Sequence, residues 1–327
     1  MPVRFDSPRV GGSTRPQLKA GEWQIDFAYR RLSANQWYVG TNVNESAAPF
    51  GHPLYLNISS IAVTANYGVT DRLSTSVTFP FSYGTHSRYY GDNVRHEVRS
   101  GGLGDLTMIG TYWLWDPKRP AKGNFSLGAG LKSLSGDNAV SANFYNANGS
   151  VSQRPVDQSI QLGDGGWGIT FQFQGYRRVF RSVYGYGQGW YLLTPRNTTK
   201  INSPYLGVPL SVPDIYSTRV GAATDIKGVR GLSANLGVRI DGIPIRDLIG
   251  GSDGFRRPGY SLYVDPGVTY VRGRHAFTVN IPVMFHQDFK RSQIDVQLNR
   301  PGGGDLARYL VIAQYSIRWQ SPIPLRK

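Results

Sequence analysis

The stretch VGAATDIKGVRGLSANLGVRI, residues 220–240, alternates almost without error. Beyond Gly231, the residues Leu232, Ala234, Leu236, Val238 and Ile240 fall on one face, and Ser233, Asn235, Gly237, Arg239 and Asp241 on the other. A period of two predicts a β-strand with one apolar and one polar face. Before it, Val220, Ala222 and Ile226 share a face opposite Arg219, Gly221 and Asp225, across the turn Lys227-Gly228-Val229. The pattern recurs. Phe125, Leu127, Ala129 and Leu131 oppose Asn124, Ser126, Gly128 and Lys132; Trp167, Ile169, Phe171 and Phe173 oppose Thr170, Gln172 and Gln174. Phe277, Val279, Ile281, Val283 and Phe285 oppose Thr278, Asn280, Met284 and His286. Twelve strands are predicted, over 22–33, 54–69, 72–85, 104–116, 122–134, 165–178, 182–194, 213–226, 230–243, 258–271, 274–288 and 305–319.

The connections decide whether the apolar faces meet a core or lipid. TD, PKRPA, VFR, KGV and RG join alternate strands, while 34–53, 86–103, 135–164, 195–212, 244–257 and 289–304 are long, polar loops. Strict alternation of short and long places every tight turn at one end of the sheet. The strands run about twelve to sixteen residues, against about five or six in soluble proteins; roughly nine to eleven cross a bilayer when tilted. An even strand count with tight turns and long loops is the outer-membrane pattern, and closure pairs every backbone group internally. The expectation is therefore an all-β protein, a closed antiparallel transmembrane β-barrel of about 12 strands with short periplasmic turns and long extracellular loops. The barrel takes residues 22–319, preceded by a periplasmic segment 1–21 that is disordered or a plug, and followed by a tail, 320–327. Two aromatic belts are expected where rings meet headgroups: Trp23, Trp115, Tyr176, Tyr270 and Trp319 at the turn side, Tyr83, Trp167 and Tyr260 at the loop side.

The segments GGLGDLTMIGTYWLW (101–115) and VDPGVTYVRGRHAFTVNIPVMF (264–285) carry a family resemblance. A Gly-Asp opens a strand, and Pro sits within strands, as Pro80 does in VTFPFSY and Pro282 in NIPVMF. In this the chain resembles the outer-membrane barrels grouped as MetA-pathway-of-phenol-degradation-like proteins, from Trp23 to Trp319. The resemblance implies an outer-membrane channel or transporter, with an aromatic solute, and no catalytic residue. The chain departs from outer-membrane barrels at its end, where QSPIPLRK follows Trp319 in place of a terminal Phe.

Composition narrows the chemistry. The 327 residues include 40 Gly and 20 Tyr, no Cys, and a net charge of +15. Without Cys there is no disulfide scaffold, thiolate metal site or Cys nucleophile. No apolar run reaches transmembrane-helix length, and MPVRFDSPRVGGSTRPQLKAGEW lacks the apolar core of a signal peptide, so a mature chain is expected. By parity the lumen collects Asp26, Arg30, Asp105, Lys132, Gln172, Arg219, Asp225, Arg239, Asp241, Asp265, Asn280, Arg308 and Arg318. Such a lining either guides a polar or charged solute or pairs across a narrow barrel and fills it; twelve strands lie between filled and open barrels. A basic rim at the turn side gathers Arg72, Lys118, Arg119, Lys122, Arg177, Arg178, Arg181, Lys227, Arg230, Arg272, Arg274, Arg326 and Lys327 against few acids, chiefly Asp71, Asp116 and Asp225. It attracts anionic headgroups, an acidic partner or an anionic solute, or is simply a solvated rim. Nucleic-acid binding is not expected, because the basic residues fall in separate turns without a recognition motif.

GDGGWG (163–168) and PGGGDL (301–306) lack the Lys-Ser/Thr ending and following helix of a phosphate loop and read as strand entries. Some twelve-stranded barrels are lipid-face lipases, so the five histidines matter. His286 falls on the lumen face by parity, His52, His86 and His96 lie in loops, and His275 lies beside a tight turn. His86-Ser87 is no catalytic pair, since neighbours in an extended chain point apart. His86, His96, Asp92 and Glu97 are spaced too irregularly to predict a metal site. No cofactor, metal or enzymatic activity is expected. The leading function is passive diffusion of a small aromatic or anionic solute across an outer membrane; a non-conducting barrel that docks an envelope partner is the alternative, and a lipid-face hydrolase the third.

Overall fold

In a computed structural model, which describes residues 15–116 and 122–320, the alternating segments form one ring of twelve strands. They are β1 (Glu22–Ala34), β2 (Tyr55–Gly68), β3 (Leu73–Tyr89), β4 in two pieces (Arg95–Leu103 and Thr107–Trp113), β5 (Gly123–Lys132) and β6 (Gly168–Phe180). There follow β7 (Val183–Leu193), β8 (Ile215–Asp225), β9 (Leu232–Ile243), β10 (Gly259–Arg272), β11 in two pieces (His275–Asn280 and Val283–Phe289) and β12 (Leu310–Gln320). Each pairs antiparallel with its chain neighbour, and β12 returns to β1, from Glu22↔Gln320 to Leu32↔Leu310. The fold is a closed, twelve-stranded antiparallel barrel.

The apolar faces look outward. Phe27, Ile61, Phe79, Leu127, Phe171, Val220, Leu236, Val268 and Phe277 are all exposed, while the alternate positions, such as Ser60, Ser126, Thr170, Ser217, Ser233 and Thr278, are buried in the interior. Near the loop end, Phe171, Tyr191, Tyr216 and Tyr260 lie in register across β6–β10 as an outward ring row, Tyr191 stacked on Tyr216 with centroids 6.5 Å apart. Gly242 completes the row: a Cβ there would lie 2.4 Å from the Tyr216 ring, so the ring occupies the space a side chain would need. At the turn end Trp23, Trp319 and Tyr67 form a matching row, with Trp23 and Tyr67 4.7 Å apart. The largest buried apolar cluster sits inside the loop end, where Leu56, Tyr90, Val98, Phe144, Ile160, Tyr263, Leu310 and Ile312 meet.

Several expectations change. Residues 86–103, expected as a loop, continue the β3–β4 hairpin to Tyr89↔Arg95. β3 thus has 17 residues, well past the roughly nine to eleven that cross a bilayer. Its last turns are polar on both faces, so alternation vanishes although pairing continues. β4 breaks at 104–106 opposite Pro80, which has no N–H to offer the ladder; Gly104 instead donates its N–H to Pro80 O at 2.7 Å. β11 breaks likewise at Pro282, opposite Pro266. A register shift near Leu262/Tyr263 then pairs His286 with Leu262, turning His286 outward beside the Tyr260 ring. One extra residue in a strand reverses its parity, which corrects the lumen placement of His286. Tyr176 is corrected in the opposite sense: it shares the inner face with Gln172 and Gln174 and packs edge-on to buried Trp113. Residues 305–309, expected in the last strand, leave it; Asp305 pairs with Trp37 in a small loop sheet.

The remaining loops carry their own structure. Ser141–Tyr145 pairs with Val151–Pro155, and Thr198–Asn202 with Pro209–Ser211. A five-residue helix, α1 (Gln293–Gln297), starts from a capping box of Ser292 and Asp295.

Candidate functional site

Period two sends one polar residue in two into the lumen, and the ring closure brings them face to face. At the turn end Asp26 accepts from Gln24 and Asn66 (2.7 and 2.8 Å), and Arg318 donates to Gln24 Oε1. Gln172 donates to Thr111 Oγ1 at 2.9 Å. Midway, buried Lys132 donates to Asp105 (2.8 Å) and to Asp164 of the loop above (2.6 Å). Along the wall of β8–β11, Arg219 meets Asp265 at 2.9 Å, Asn280 donates to the same Asp265, and Arg239 meets Asp241, two residues on in β9, at 2.9 Å. Asp105 and Asp265 each stand beside one of the two proline breaks, where the wall carries fewer ladder bonds. Arg30 lines the loop-side half of the lumen. Asp225 is half-buried near the turn end, and Arg308 lies exposed beyond β12, donating to Gln36 Oε1.

Two cavities lie within this frame. One, of about 220 Å³, faces the turn end and is lined by Thr64, Ser74, Ser76, Thr78 and Thr111 together with the charged Asp26, Asp105 and Lys132, with Pro16 and Leu18 beside them. The other, of about 240 Å³, faces the loop end and is lined by Leu32, Leu56, Ile58, Ile215, Ile243 and Tyr263, with Arg30, Arg239 and Asp241 at its side. Trp190 borders both. One wall therefore suits a polar solute and the other an apolar one, with a single indole between them.

At the rim Lys122, Arg177, Arg178, Arg181, Lys227, Arg230, Arg272 and Arg274 are exposed. Arg72 instead folds back over the Tyr112 ring, 4.7 Å from its centroid, and donates to the carbonyl oxygens of Trp113 and Leu114. Lys118, Arg119, Arg326, Lys327 and residues 1–14 and 321–327 of the two terminal segments lie outside the described residues. Among the histidines, His52 lies over Tyr89, His96 bonds Asp92 at 2.7 Å, and His275 bonds the Tyr315 hydroxyl at 2.7 Å. No group of three or more His, Asp or Glu is arranged to hold a metal among the described residues.

Loop residues that no period could mark complete the interior. Arg257 grips Asp157 with two bonds, 3.0 and 2.8 Å. Burial alone pushes the Asp157 carboxyl up, but the guanidinium overrides it and holds the acid well below the usual carboxylate range. Burial pushes Asp164 and Asp305 up. Arg256, fully buried, is held by Asp247 (2.7 and 2.6 Å) and Ser211. Arg88 and Arg154 meet rings in place of acids among the described residues.

The crystal structure of the COG4313 outer membrane channel from Pseudomonas putida F1 is similar over 97% of this chain and 100% of its own, with a TM-score of 0.61 at 12% sequence identity. The fold is that of an outer-membrane β-barrel. The translocator domain of the autotransporter NalP from Neisseria meningitidis (TM-score 0.49, 11% identity, 93% and 90% of the two chains) and the P. putida toluene transporter TodX (0.42, 9%, 92% and 90%) overlap less closely with this barrel. No family model and no curated protein matches the chain.

Proposed function

We propose that the protein is a channel in a bacterial outer membrane that passes a small, largely apolar solute, an aromatic one by preference. The observation that carries the reading is the cavity of about 240 Å³ in the loop-side lumen, where Leu32, Leu56, Ile58, Ile215, Ile243 and Tyr263 offer an apolar lining beside the charged Arg30, Arg239, Asp241, Arg257 and Asp305. A barrel that served only as a dock or anchor has no use for oily space in its lumen, and a sieve for hydrophilic solutes would lose selectivity by it. The likeness to an outer-membrane channel over nearly the whole chain supports the same reading, as do the lipid-facing exterior and the paired ring rows. Trp190, shared by the two cavities, then stands between them on the path of a solute.

The test is accumulation of radiolabelled toluene by cells with a low-permeability outer membrane, with and without the barrel. Faster uptake is expected, and Trp190→Ala should raise it further, together with the single-channel conductance in planar bilayers. Equal uptake with and without heat-modifiable, folded barrel would overturn the reading and favour a docking role.

A further inference from the structure

Five of the six long connections converge above the barrel on one cleft of about 510 Å³. Its walls carry three rings, Phe50, Phe144 and Tyr205, and two cations, Arg154 and Arg300. Beneath it lies a space of about 10 Å³, room for one water, faced by Arg88. We propose that this cleft binds an aromatic carboxylate, the ring held among Phe50, Phe144 and Tyr205 and the carboxylate by Arg154 and Arg300, with Arg88 as the cation below. The inference names the solute class for the path described above, and rests on that reading for its role, though not for the binding itself.

Three observations carry it. First, the two cations are poorly matched by acids: among the described residues Arg154 meets none, and Arg300 has only a long ion pair with Asp295. Arg154 donates to neutral groups, Pro204 O at 3.2 Å, Asn146 Oδ1 at 2.9 Å and Ser152 Oγ at 3.3 Å. Arg300 stands 3.7 Å from Asp295, whose other oxygen is already engaged by Ser292. Asp157, the acid beside the small space, is held by both arms of Arg257. Second, Arg88 is only 2% exposed, and its Nε and Nη1 have no hydrogen-bond partner among the described residues. Unmatched N–H groups on a buried guanidinium are costly, and the one-water space that Arg88 shares with Phe144, Arg154 and Tyr205 adds its positive charge directly beneath the cleft wall.

Third, the rings are arranged for planar recognition. Arg88 lies 3.9 Å from the Tyr205 centroid and 4.3 Å from Tyr90, and Arg154 lies 3.9 Å over Phe144. Guanidinium and ring faces thus alternate, a surface that takes a flat π-system and its carboxylate together. Burial pushes the Tyr205 phenol well above its ordinary value, so it stays neutral and does not repel an anion. Phe50 is held at a φ of 61° and is 45% exposed. A non-glycine residue in that region is strained, and such strain gathers at binding sites.

The experiment is a ¹⁹F NMR titration of the detergent-solubilised protein with 4-fluorobenzoate, beside the neutral 4-fluorotoluene. Saturable binding of the benzoate is expected, weakened about tenfold or more by Arg154→Gln, the scale of one charged hydrogen-bond pair. Arg154→Lys should restore it only in part, because an ammonium lacks the fork. Arg300→Gln, on a more exposed side chain, should weaken it too, and serves if Arg154→Gln loses the heat-modifiable gel shift of a folded barrel. Equal affinity for benzoate and toluene, or benzoate binding indifferent to both changes, would overturn the proposal. Loss of toluene uptake with benzoate binding intact would instead count against the channel alone.

Discussion

The same residue type plays opposite parts in the lumen and in the crown of loops. In the lumen, Arg219, Arg239 and Lys132 each meet a carboxylate within 3 Å. In the crown, Arg88 and Arg154 meet rings and neutral oxygens. A buried cation with its acid is a closed unit: it braces the wall and leaves nothing to bind. A cation braced by π-faces and neutral oxygens keeps its charge unneutralised, and Arg154, with one bond from each nitrogen, retains a second N–H on each terminal nitrogen for an incoming anion. Net charge alone, at +15, could not separate the two.

The largest effect that would sharpen this contrast is at Lys132. Replacing it with Met leaves the buried Asp105 and Asp164 without their cation, and should cost about 3–5 kcal/mol, read as a lower temperature for conversion of the compact gel band. Next comes a cycle on Arg219 and Asp265. Arg219→Met or Asp265→Leu alone should destabilise by about 3 kcal/mol, while the double change should recover most of it; equal losses that simply add would show that the pair does not act as a unit. The crown should behave otherwise, with Arg154→Gln shifting stability by no more than about 1 kcal/mol while abolishing the benzoate preference.

Acid probes the boundary between the regions, at Asp157 and Arg257. The folded state holds the Asp157 carboxyl below its unfolded value, so its contribution is fully present above about pH 4 and is lost as the pH falls through the folded value. Melting followed from pH 7 to pH 2.5 should show this loss, and Asp157→Asn, which is less stable at pH 7, should flatten it. The smallest effect is expected at the exposed rim, where Arg178→Gln or Lys227→Gln should stay within about 0.5 kcal/mol. A larger change there would mean that the rim is braced in a way its exposure does not suggest.

The barrel was legible because lipid and lumen impose opposite polarity on successive residues. Where lipid ends, the signal ends. The upper half of the β3–β4 hairpin, with polar Thr85, Ser87, Glu97 and Arg99 on its outer face, keeps its pairing and loses its pattern. Parity failed at His286 for a different reason, since the register shift beside Pro282 is a tertiary event that no local count reveals. Tyr176 was legible after all: it shares the parity of Gln172 and Gln174, which outweighs the expectation that a Tyr near a strand end faces headgroups. Lys132 could be placed in the lumen from the chain alone, but its second partner, Asp164, comes from a loop, and only the closed ring brings them together. The crown lay furthest from view. Arg88 and Arg154 sit in RYYGDN and NFYNANGSVSQR, rich in rings and free of period, Arg300 sits in QLNRPGGG, and five separate connections must meet before the cleft exists.

The seam between β1 and β12 has a consequence for how the molecule comes into being. Eleven residue pairs there join the two ends of the barrel, from Glu22↔Gln320 to Leu32↔Leu310. Neighbouring hairpins form from local contacts, but this pairing spans nearly the whole chain, and contacts of such separation are slow to form. Until the last strand arrives, the nascent sheet has two raw edges, each a template for the wrong partner. Synthesis must therefore finish before the ring can lock, and the interval between belongs to whatever keeps the chain from aggregating.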